Sequence, residues 1–136
     1  MHTSVATIII LSGLSSSGKT STAKALQRAF AVQNKPYIHM PIDEFVGLLP
    51  AEWCNFDTSK NIVQNPDGIV LKRTSDAKGP RVSIELGPVG MNLVMAYMPV
   101  VATIAAYGTN VIIDGVFGTP YLHEAAKHFK DFRVYT

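Results

Sequence analysis

Between Gly13 and Thr20 the chain reads Gly-Leu-Ser-Ser-Ser-Gly-Lys-Thr, which meets G-x-x-x-x-G-K-[ST] at every fixed position. The chemistry open to that spacing is phosphate binding. Glycines let the backbone turn sharply, so that successive N–H groups point inward at an anion. A helix starting here adds unpaired N–H donors and its positive end. Lys19 would reach the β- and γ-phosphates as a catalytic cation, and the Thr20 hydroxyl would ligate Mg²⁺. The predicted nucleotide cradle is Gly13, Leu14, Ser15, Ser16, Ser17, Gly18, Lys19, Thr20 and Ser21, with ATP and Mg²⁺ as the cofactors. The alternative for such a stretch is a flexible serine–glycine turn.

Two carboxylates could join it. Asp114 closes the apolar run Val111-Ile112-Ile113, and an acid at the end of a core strand can hold Mg²⁺ directly or through water. Asp before Gly115 is also an ordinary turn. Asp43 follows the short apolar run Tyr37–Met40. In an open parallel sheet, ligands gather at the carboxyl ends of the strands, so Asp43 would face the crevice of Lys19. There it could take the proton of an attacking hydroxyl. It could equally be an acid at a helix N-terminus.

These residues need elements to hold them. Val5–Leu11 is apolar and β-branched, as a strand buried on both faces should be, and Ser21–Phe30 has helical spacing. Asn34-Lys35-Pro36 breaks the chain before a second strand at Tyr37–Met40, and a short helical stretch Phe45–Leu49 stops at Pro50. Segments 69–73 and 81–85 suggest a hairpin with a longer loop from Ser75 to Pro80. A helix is predicted from about Val89 to Tyr107, ended by Gly108, then a third strand at Val111–Asp114. Thr119 reads as an N-cap with Pro120 behind it, opening a helix to about Lys130, and Phe132–Thr136 starts a fourth strand. Strands alternating with helices mean a mainly parallel α/β sheet.

Composition excludes much. The chain has 136 residues, 47% hydrophobic and 16% charged, enough for one domain with a core. A net charge of +2 gives no case for nucleic acid. Cys54 is the single cysteine, which fits a reducing cytoplasm and a buried, unreactive role. No Lys or Arg precedes residues 5–11, so no signal peptide is expected. Leu86–Ile113 is uncharged, but its polar and proline breaks favour a deeply buried core helix followed by a strand over a membrane span. Such a helix could also pack on a partner subunit in a homo-oligomer. Lys72, Arg73, Lys78 and Arg81 read as a solvated hairpin, and His39, His123 and His128 show no metal-ligand spacing and receive no role.

"LSGLSSSGKTS", "MPIDEFVGLLP" and "LGPVGMNLVMAYMPVVATIAAYGTNVIIDGVF" together resemble the chloramphenicol phosphotransferase-like P-loop kinases, in order and spacing, over most of residues 5–118. The resemblance implies a P-loop NTPase, nucleoside-kinase-like fold, a parallel sheet flanked by helices. It implies ATP-dependent phosphorylation of a small-molecule hydroxyl, as in antibiotic resistance to chloramphenicol, with Asp43 as general base. Phe45, Leu48, Leu49, Trp53 and Met91 would then lie near the acceptor, or else in the core. Members of that family continue into a lid whose arginines clamp the phosphate, and then a further strand near the adenine. The sequence stops at Thr136, and Arg28, Arg73, Arg81 and Arg133 form no lid-like run. The expectation is therefore one P-loop kinase-like domain over 1–136, truncated after the fourth strand, with a hairpin insertion. The alternatives are another P-loop metabolite kinase or a non-catalytic nucleotide-binding module.

Overall fold

The computed structural model describes residues 5–13, 18–56 and 63–136. Contacts divide the chain into two compact units, Met1–Phe45 with Tyr97–Thr136, and Val46–Ala96. The first holds a four-stranded sheet in the order β2-β5-β1-β6. Its strands are β1 (Thr7–Ser12), β2 (Tyr37–Pro41), β5 (Asn110–Gly115) and β6 (Arg133–Tyr135). All its pairings are parallel. The α/β fold class expected from the alternating pattern is what forms: a parallel sheet flanked by helices.

Strand alternation divides the core between the two faces of this sheet. Ile8, Ile10, Val111 and Ile113 pack with Tyr97, Met98, Val101, Ala105, Ala125 and Phe129 from α3 (Pro88–Ala106) and α4 (Thr119–Phe129). Ile112 and Tyr37 pack with Ala23 of α1 (Lys19–Val32) and with Ile9, Leu11, Leu26 and Phe30. The α1 helix ends where the Asn-Lys-Pro break was read. Asn34 takes a left-handed φ of 61°, and the N–H of Lys35 donates to the Phe30 carbonyl at 2.9 Å.

Two helix starts differ from the sequence reading, and so does the burial of the uncharged helix. The short helix, α2, spans Ile42–Val46 instead of Phe45–Leu49, so Asp43 lies inside its first turn. Thr119 is the first helical residue, not the cap. The Leu122 N–H closes the first turn on the Gly118 carbonyl, 3.0 Å away, which puts Gly118 at the N-cap. The deep burial expected along the whole uncharged helix holds only for its later part, where Tyr97, Met98, Val101 and Ala105 are buried. Met91 and Met95 of the same helix are 45% and 49% exposed. Among the described residues, Pro88–Ala106 is long and apolar enough to cross a membrane, with mean hydropathy 1.7 and 28% of that window buried.

The second unit carries the hairpin β3 (Ile69–Asp76) and β4 (Gly79–Leu86). Its loop is shorter than predicted. The ladder runs out to Asp76 opposite Gly79, leaving only Ala77 and Lys78 between strands. Gly79 supplies a φ of +109°, and Asp76 Oδ1 accepts the Lys78 N–H at 2.8 Å. Two basic residues of the cluster face acids, Lys72 with Glu85 at 3.0 Å and Arg81 with Asp76 at 2.7 Å. Both pairs are exposed, and such pairs add about 0–1 kcal/mol. Cys54 is buried and bridges to Ile69.

Candidate functional site

Because β5 lies between β1 and β2, three neighbouring strands end side by side. Leu11 and Pro41 both stand opposite Asp114, and Ser12 stands opposite Gly115. Gly13, Asp43 and Asp114 therefore all sit at the carboxyl ends of this sheet, as the open-sheet rule requires. Gly13 is held there by its own N–H, which donates to the Gly115 carbonyl at 3.3 Å. The Ser12 hydroxyl both donates to the Phe117 carbonyl and accepts the Phe117 N–H, each at 3.3 Å. It ties the end of β1 to the segment leaving β5.

Leu14, Ser15, Ser16 and Ser17 lie outside the described residues. At the far end of the loop, Gly18 is the N-cap of α1, with φ 79° and ψ 17°. That left-handed conformation is one that side chains resist, and a Cβ built there would meet nothing within 4 Å. A glycine brings no side-chain oxygen to the first-turn N–H groups. Lys19, Thr20 and Ser21 follow in that turn, Lys19 half-buried and the other two exposed.

Asp43 is solvent-accessible but partly desolvated, and burial pushes its carboxyl above the ordinary 3.8. The Lys19 ammonium pulls it back down, while the Asp114 charge adds to the rise. These three side chains thus share one electrostatic neighbourhood. Asp114 itself is 4% exposed. It is not in a turn: it is the penultimate residue of β5, followed by Gly115 still within the strand.

Gly115 is required by space. A Cβ there would sit 2.6 Å from Ile42 Cγ2 and 2.7 Å from the Phe117 ring. Gly115→Ala is expected to cost about 1–3 kcal/mol in chemical denaturation, the usual range for overpacking.

Two residues given no role by the sequence reading belong here. His39 Nε2 is bonded to Asp114 Oδ2, the two side chains being 9% and 6% exposed. Tyr97, fully buried, donates its hydroxyl to the Met40 carbonyl, three residues before Asp43. Burial, with Tyr121, Asp114 and Asp43 nearby, raises the Tyr97 hydroxyl far above its ordinary value and keeps it a donor. Burial likewise pushes Tyr121 up to about 12. Phe45, Tyr97, Phe117 and Tyr121 follow one another at ring-centroid distances of 5.3, 6.3 and 5.8 Å. No local signal marks His39: Tyr37, His39 and Pro41 share one face of β2, but only the β2–β5 register puts Asp114 on that same face.

Of the residues expected near an acceptor, Phe45 packs on the core of the first unit. Leu48 is 80% exposed, which removes it from any core. Leu49 and Trp53 are half-buried, and Met91 is exposed.

Mg²⁺ takes hard oxygen donors and keeps few from protein, the rest coming from phosphates and water. The Thr20 hydroxyl and the Asp114 carboxylate are donors of that kind. Among the described residues, no three His, Cys, Asp or Glu side chains gather as an all-protein cage. The donor set therefore fits an ion that arrives with a nucleotide.

A parallel sheet whose first strand leads into the G-x-x-x-x-G-K-T motif and a Lys-Thr helix start, with acids at its carboxyl ends, defines a P-loop kinase-like α/β protein. The chain matches the chloramphenicol phosphotransferase-like family over residues 6–136 and belongs to it. Comparison with curated proteins gives no match. The family is one of P-loop phosphotransferases, for which use of ATP and Mg²⁺ is implied.

Proposed function

We propose that the protein is an ATP-dependent O-phosphotransferase that moves the γ-phosphate to a hydroxyl of a small molecule, either a chloramphenicol-like antibiotic or a related alcohol. One observation carries this reading: Asp43, at the carboxyl end of β2, feels both Lys19 and Asp114. A kinase of this class needs a base, a cation on the phosphates and a metal-bearing acid together, and these are the three side chains.

The loop Gly13–Thr20 cradles the polyphosphate with its backbone amides. Lys19 lies beside the transferred phosphoryl group and offsets its charge. Thr20 and Asp114 would hold Mg²⁺, which would supply positive charge against the phosphates. Asp43 accepts the proton of the acceptor hydroxyl while its oxygen forms the new bond to γ-phosphorus; the bond from γ-phosphorus to the bridging oxygen breaks, and ADP leaves. Tyr97, bonded to the Met40 carbonyl, steadies the strand that presents Asp43.

The test is ADP formation from Mg²⁺–ATP with and without added alcohols, chloramphenicol first, then hydroxylated metabolites. The expected outcome is ADP release that depends on one of these alcohols and equals the phosphorylated alcohol formed. A response only to a metabolite moves the reading to another P-loop metabolite kinase. Saturable nucleotide binding without turnover on any alcohol overturns it in favour of a nucleotide-binding module.

A further inference from the structure

We infer that His39 is a positioning residue for the metal-bearing carboxylate: by donating its Nε2–H to Asp114 Oδ2, it fixes the orientation in which Asp114 meets nucleotide-bound Mg²⁺. This rests on the reading of Asp114 as a metal ligand given above.

Asp114 is the buried charged side chain among the described residues. A carboxylate taken out of water needs hydrogen bonds to remain ionised. Its partner here comes from the neighbouring strand. His39 stands opposite Ile112 in the β2–β5 register, two residues before Asp114, so the two side chains project from the same face on a diagonal. Bonding Oδ2 fixes the plane of the carboxylate and thereby aims its other oxygen. Ligating carboxylates commonly rely on such an outer hydrogen bond to set their direction, and its loss costs about 10- to 100-fold in metal affinity.

The location has a second consequence. His39 lies four residues before Asp43 on the same strand-to-helix run, and Met40, between them, is held by Tyr97. One imidazole therefore links the strand that presents the base to the strand that bears the metal ligand. An apolar side chain in place of His39 would pack as well in the sheet, but would leave Asp114 free to rotate about its side-chain bonds.

The experiment measures the affinity of the full chain for a fluorescent ATP analogue, in EDTA and in Mg²⁺. In the wild-type chain, Mg²⁺ should tighten binding. His39→Phe keeps a ring of similar size and removes the donor. It should lose about 10- to 100-fold of the Mg²⁺-dependent gain while binding in EDTA is unchanged. His39→Gln, with an amide N–H, should recover part of that gain. In an Asp114→Asn background, His39→Phe should have no further effect. A His39→Phe chain with the full wild-type gain overturns the role of His39 alone. A wild-type chain indifferent to Mg²⁺ overturns the parent reading of Asp114. Should His39→Phe not fold, the wild-type chain still decides: the ¹⁵N resonance of His39 Nε2 is expected to shift when Mg²⁺ joins bound nucleotide, and an unmoved resonance overturns the inference.

Discussion

Asp43→Asn is expected to lower acceptor-dependent phosphoryl transfer by about 10²- to 10⁴-fold, the range a positioned general base contributes. Affinity for Mg²⁺–ATP should change little, because in the proposed mechanism Asp43 acts on the acceptor and not on the phosphates. Steady-state kinetics check both halves: kcat falls while the KM for ATP stays. A variant that still transfers at the wild-type rate removes Asp43 from the chemistry.

The pH dependence follows from the environment of the same carboxyl. Burial raises it above 3.8, so the wild-type rate should climb with pH through that raised value and level off once Asp43 is ionised. The asparagine variant should lack this acid limb. Stability moves the opposite way. A raised folded-state value means that the folded chain binds the proton more tightly than the unfolded one, so ionised Asp43 costs stability at neutral pH. The cost is relieved as pH falls through the raised value, and below 3.8 the group contributes nothing either way. Asp43→Asn should therefore unfold at higher denaturant than wild type at pH 7, and this advantage should shrink on acidification.

The G-x-x-x-x-G-K-T stretch stands out in the sequence because its residues are contiguous and their spacing alone defines the motif. Asp43 and Asp114 could be read because each follows an apolar strand, and strand ends mark the crevice of a parallel sheet. His39 could not. Its partner lies 75 residues away, and only the insertion of β5 between β1 and β2 brings them together. The search for ligand spacing among His and Cys was blind to a bond between neighbouring strands. Tyr97 was hidden for a related reason: in an uncharged helix every apolar position reads as core, and nothing local reveals that one hydroxyl serves a strand end. The hairpin loop was drawn too long because Ser75–Pro80 is rich in turn-forming residues, whereas a left-handed Gly79 lets the ladder continue to Asp76. Helix starts slipped by a few residues where Asp43 and Thr119 can be either a cap or a first turn.

Lys19→Ala should be the most damaging change on the phosphate side, costing at least about 10²- to 10³-fold in kcat, as loss of one preorganised charge at a reacting group does. Lys19→Arg should not rescue it, since a planar guanidinium fork does not reproduce a compact ammonium at the start of α1. The second expected effect separates this charge from a merely structural lysine. The Lys19 ammonium holds the Asp43 carboxyl lower than burial alone would set it. Removing the ammonium should raise the Asp43 carboxyl further, shifting its ionisation to higher pH. A ¹³C NMR titration of the Asp43 carboxyl in the Lys19→Ala chain reads this directly, without relying on residual activity. An upward shift places base and phosphate-binding cation in one field, where a phosphoryl group between them would be held and its acceptor deprotonated. An unmoved Asp43 titration would mean that the two act apart, and the transfer mechanism built on their proximity would fail.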